Sequence, residues 1–157
     1  MIPQLEDLTE EEIKLVYKSP ILTSILISGA DGVIDNREIN TAINFAKESA
    51  KKTRALLYDF YSEIAENVEE RIHEVLQFYP ENYEERNHQI VEELTGLNPI
   101  FPKLDKAFVV VYFISLKTIA KKIARSSGGF LGLFGTISKE ERAYLDLPMI
   151  NDPLKIF

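Results

Sequence analysis

The residues best suited to chemistry lie in one short run, Ala30-Asp31-Gly32-Val33-Ile34-Asp35-Asn36-Arg37-Glu38. A hard divalent cation needs several oxygen ligands. The second half of a calcium-binding helix-loop-helix supplies them from a carboxylate, a backbone carbonyl and a bidentate Glu, with a glycine at the sharp turn. Asp31, Gly32, the Val33 carbonyl, Ile34, Asp35 and Glu38 fill those places in order. The first half of such a loop is missing, because its ligand positions fall on Ile27 and Gly29, which have no side-chain oxygen. Asp31, Asp35 and Glu38 are thus candidate ligands for Ca2+ or another divalent cation, but only as half a loop. The competing reading is a helix start. Asp35 followed by Glu38 is a cap-and-reach-back pair, Gly32 serves the turn, and Asp31 favours the same helix N-terminus.

Two further constellations compete with the turn. Asn67 to His73 and Asn82 to His88 repeat one local pattern, and each holds a Glu-x-x-His pair, Glu70 with His73 and Glu85 with His88. That spacing puts a carboxylate and an imidazole on one helix face, as in carboxylate-bridged di-metal bundles. The copies are only 15 residues apart with Pro80 between them, whereas a bundle site draws its pairs from well-separated helices. The other constellation is the glycine-rich Gly128 to Gly135. It lacks Gly-Lys-Ser/Thr and follows a helix rather than a strand, which argues against a nucleotide loop. Its Phe130, Leu131, Leu133 and Phe134 either tuck into the core or project as a partner- or membrane-touching loop. No cysteine is present, and neither histidine has a motif-placed nucleophile, so no nucleophilic catalytic set emerges.

The elements that must position these residues read as helices throughout. Thr9 with Glu12 is a capping box opening an N-terminal helix within residues 1–18, and Ser19-Pro20 reads as the start of a second helix through Ser28. Behind Asp35, the stripe Ile39, Ile43, Ala46, Ala50 predicts an amphipathic helix. A second stripe runs Leu57, Phe60, Ile64, Val68, Ile72, Val75, Leu76, Tyr79. One straight helix over 36–79 would be roughly 66 Å long, far beyond the size of such a domain, so a bend is expected between Lys51 and Arg54. Asn82 starts a helix that Gly96 stops. The segment from Leu104 to Arg125 is apolar nearly all round and reads as the central helix. Ser138 with Glu141 caps a last one, and the tail over 147–157 reads as irregular.

Length and composition bound the rest. The chain has 157 residues, 45% of them hydrophobic, which fits a single domain with a real core. A net charge of −7 argues against nucleic acid as a partner. The absence of cysteine makes a reducing cytoplasm the simplest address. Charge is nonetheless segregated: 11 acids face two bases between Asp59 and Glu93, and six bases face one acid between Lys103 and Arg125.

Ala30, Asp31, Gly32, Ile34 and Glu38, set between two helices, resemble the hallmark of the tellurite-resistance TerB-like family. A weaker echo follows at Gly135, Ile137 and Glu141, and the resemblance spans residues 20 to 146. It implies an all-α bundle of six to seven helices with a pseudo-repeated helix-turn-helix pair. It also implies metal or calcium binding through such acids, and stress-response or membrane-linked assemblies with protein partners. Two features depart from the pattern: the second loop has no aspartate, and Gly128 to Phe134 is extra. The expectation is a non-enzymatic interaction domain. The alternatives are a di-metal carboxylate enzyme using Glu70, His73, Glu85 and His88, and a domain docking a partner or membrane surface through residues 128–135.

Overall fold

Wherever capping residues precede an apolar stripe, the chain forms a helix. The computed structural model describes residues 2–53, 55–127 and 139–156. Among them there is no strand; the elements are α1 (Glu10–Ser28), α2 (Asn36–Thr53), α3 (Ala55–Ala65), α4 (Val68–Leu76), α5 (Tyr83–Thr95), α6 (Lys106–Ser127), α7 (Lys139–Tyr144) and α8 (Pro153–Ile156), with 3-10 turns at Pro3–Leu5 and Phe101–Lys103. The all-α expectation is met.

The buried side chains form one cluster, from Ile2 near the start to Ile150 near the end. α6 is its axis, as its composition predicts. It touches α1, α2, α3 and α8, and Phe108, Tyr112, Leu116, Ile119 and Ile123 are fully buried. The α2 stripe is buried as expected, and so are Leu57, Phe60, Ile64, Val68, Ile72 and Val75. Tyr112 sits at the centre, stacked on Phe108 at 5.8 Å and edge-on to Phe60 at 5.7 Å.

Three local expectations need correction. The Thr9–Glu12 capping box forms with both reciprocal bonds, at 3.0 and 3.3 Å, but Ser19-Pro20 opens no new helix. α1 runs straight through Pro20. Proline has no N–H to give the carbonyl four residues back, and that carbonyl, on Val16, accepts instead from the buried Tyr112 hydroxyl at 2.9 Å. The Ser19 hydroxyl donates to Leu15 O at 2.6 Å rather than capping. Second, the stripe from Leu57 to Tyr79 is not one helix. It divides into α3 and α4 at Glu66 and Asn67, where Asn67 adopts φ −140° and ψ 49°. Third, the tail is anchored. The Asn98 amide donates to Met149 O at 3.0 Å, and Asn151 N donates back to Asn98 Oδ1 at 2.7 Å, before the short α8.

Some expectations involve residues outside the described ones. Arg54 is one, so for the bend at Lys51–Arg54 the structure shows α2 helical to Thr53 and α3 from Ala55. Residues 128–138 are others, and with them go the loop residues Phe130, Leu131, Leu133 and Phe134, the cap at Ser138 and most of the pseudo-repeat.

Candidate functional site: the acidic turn

α1 ends at Ser28 and α2 begins at Asn36, so seven residues must reverse the chain. Gly29 N bonds Ile25 O at 2.8 Å, and Gly32 N bonds Gly29 O at 3.0 Å. Gly32 has φ +97°, the left-handed region that glycine enters without penalty. The Asp31 carboxylate accepts from Val33 N at 3.1 Å through Oδ1, an Asx turn that holds the next step. Asp35 then does what its place before α2 predicts: its Oδ1 accepts from Arg37 N at 2.9 Å and Glu38 N at 3.2 Å. From behind, the Ser28 hydroxyl accepts from Asp35 N at 2.9 Å.

The turn is also keyed from outside. Arg86 of α5 is buried (6% exposed), and its guanidinium donates to Gly29 O at 3.1 Å. Burial holds its pKa below the usual guanidinium range. α1 has no basic residue in its own last turn, so this cation meets the negative end of the helix from 57 residues away. A Cβ on Gly29 would lie 2.8 Å from the Arg86 guanidinium, and one on Gly32 would lie 3.1 Å from the Tyr83 ring. Both glycines therefore admit α5. Sequence reading missed Arg86 because it sits in an acidic, polar stretch. The available signal was its register, since Arg86, Ile90 and Leu94 share one face and all three are buried.

What the turn presents outward is narrow. Asp31 and Asp35 are exposed, and each uses only Oδ1 in hydrogen bonds. Glu38 is half-buried and has an interaction of its own. Val33 stands out between the two aspartates at 70% exposure. Calcium usually takes six to eight oxygens, but among the described residues no three His, Asp or Glu side chains are gathered as a metal would require. The donor set therefore does not fit a full coordination sphere. Asp35 is a helix cap first.

The other predicted pairs are not brought together either. Glu70 and His73 on α4, and Glu85 and His88 on α5, are all exposed. His73 Nε2 lies 3.0 Å from Gln77 Nε2, one helical turn on. Among the described residues, no helix is long and apolar enough to cross a membrane.

Comparison with known protein families, curated proteins and solved structures returned no significant match.

Proposed function

We propose that the chain is a non-enzymatic interaction domain of TerB-like type, and that the acidic turn is its recognition element for a protein partner. The observation carrying this reading is Val33. A 70%-exposed aliphatic side chain costs solvation, yet here it is held between two carboxylates on a turn fixed by Ser28, Asp35 and Arg86. Such an element suits a partner with an apolar pocket rimmed by basic groups. Preorganisation also lowers the ordering cost on binding.

A photo-crosslinking residue at Val33 tests this in cells. A discrete adduct is expected, weakened by Asp31→Asn, with none from the same residue placed at exposed Asp59. An adduct pattern at position 33 no different from that at 59 refutes the reading.

Divalent-cation contact is the second reading, favoured by the Oδ2 atoms of exposed Asp31 and Asp35, which the hydrogen bonds of the turn leave unused. With few protein ligands, binding would be weak. It would raise the melting temperature only at millimolar calcium, and less in Asp31→Asn with Glu38→Gln. An equal rise in that variant, or none in the wild type, leaves the turn as cap and recognition element alone.

A further inference from the structure

α2 and α6 pack side by side, and the seam between them opens into two adjoining hollows. One, of about 300 Å3, is walled by Ala46, Ala50, Leu57, Val111 and Ile114. Its Ser115 hydroxyl is already engaged, with the Tyr61 hydroxyl and the Tyr112 carbonyl, each at 2.6 Å. The other, of about 530 Å3, is lined by Phe45, Lys121, Lys122 and Arg125. Thr118 borders both, so the two meet there.

Polarity along this seam is unusual for an acidic chain. Among the described residues, Lys121, Lys122 and Arg125 have no carboxylate partner. The Lys122 ammonium instead lies 4.8 Å from the centroid of the Phe45 ring, which is 44% exposed. Beside the seam, Lys47 and Lys51 of α2 lie 5.9 and 6.0 Å from the centroid of the Tyr58 ring. The negative end of α6 accounts for basic residues in its last turn. It does not account for an apolar hollow leading into them, or for Ile114 at 50% exposure on the rim.

The gradient runs along the seam, apolar at Val111 and cationic at Arg125, a rise of roughly 21 Å on α6. An acidic amphipathic helix segregates its faces across its axis and would need apolar and cationic strips side by side. A molecule with one charged end and one apolar end matches a lengthwise gradient. The apolar hollow also sits at the small end of ligand sites.

We infer that the α2–α6 seam binds a single-chain anionic amphiphile of the fatty-acid class. The acyl chain lies in the hollow beside Ala46, Ala50 and Ile114, and the head group sits on Lys121, Lys122 and Arg125. The inference is independent of the acidic turn, which precedes α2 and lines neither hollow.

Monomeric dodecanoate is the probe, followed by calorimetry and by amide chemical shifts on the intact chain. Saturable binding is expected, with shifts confined to α2 and α6. Dodecyltrimethylammonium, with the same tail and opposite charge, should bind about tenfold or more weakly, and so should dodecanoate to the triple variant Lys121→Gln, Lys122→Gln, Arg125→Gln. Ile114→Glu, at an exposed rim position, should weaken the tail contact without unfolding the chain. The inference is overturned if no binding occurs at millimolar dodecanoate, if the shifts map elsewhere, or if head-group charge makes no difference. It is also overturned if only anionic vesicles or an acidic helical peptide, and not the monomer, engage the three cations, or if the seam proves to be buried in a dimer that Ile114→Glu dissociates.

Discussion

Replacing Tyr112 with Phe removes one oxygen from the centre of the core and leaves the ring packing in place. That oxygen donates to Val16 O at 2.9 Å, and both residues are fully buried. The carbonyl depends on it because Pro20, which stands where the helical donor belongs, has none. Stripping a buried acceptor of its partner costs about 1–3 kcal/mol. For a chain of this size that lowers the melting temperature by roughly 2–12 °C. The decisive measurement is a double-mutant cycle by chemical denaturation. Pro20→Ala returns an N–H to the Val16 carbonyl, so in that background Tyr112→Phe should cost about 0.5 kcal/mol or less. A coupling energy of about 1 kcal/mol between positions 20 and 112 is expected. Costs additive to within about 0.3 kcal/mol would refute the idea that the tyrosine stands in for the missing backbone donor.

Gly32→Ala should destabilise by about 1–2 kcal/mol from its left-handed φ, plus a contact with the Tyr83 ring. Adding Tyr83→Ala should relieve only the contact, and full recovery on denaturation would show that φ is not the cause. At high pH, burial raises the phenols of Tyr61, Tyr79 and Tyr112, and raises Tyr17 to about 12. In each case the folded value lies above the unfolded one. The associated stability is complete below the ordinary value of 10 and is lost as pH climbs past it, so phenolate absorbance should emerge with unfolding rather than before. At low pH, Glu12 is held below its ordinary 4.5, first by the Lys103 ammonium at 2.6 Å and then by Thr9. Its contribution is present above 4.5 and fades as pH falls through the lowered value. Lys103→Met should move the Glu12 titration, read by NMR, back upward; an unmoved titration would assign the shift to Thr9.

The all-helical class, the buried α2 stripe and the centrality of α6 were legible because 3.6-residue periodicity is a local signal. The Thr9–Glu12 box and the caps at Asp35 and Asn82 were legible for the same reason. Pro20 misled because Ser-Pro at a helix start and Ser-Pro inside a helix look alike in sequence. The donor that separates them, Tyr112, lies 96 residues beyond the Val16 carbonyl it serves. Gly96 stops α5 as expected but without a left-handed φ. A Cβ there would sit 2.8 Å from the Leu15 side chain, so the residue is small because α1 passes close. At the acidic turn, Asp35 was legible as a cap. The role of Arg86 was not, since a buried guanidinium in an acidic helix shows only in its register with Ile90 and Leu94.

The distant cap on α1 also bears on the order of folding. A contact spanning 57 residues closes only after the intervening chain has found its place, and long loops form slowly relative to single helices. α1 and α2 can each become helical early. The bonds inside the turn between them are local, and α5 adds the long-range one from Arg86. The Arg86 contact is therefore the late-forming part of this corner: Arg86→Met should speed unfolding while leaving the refolding rate nearly unchanged, and a peptide limited to α1 and α2 would hold every local bond of the turn but not the cation that meets the end of α1.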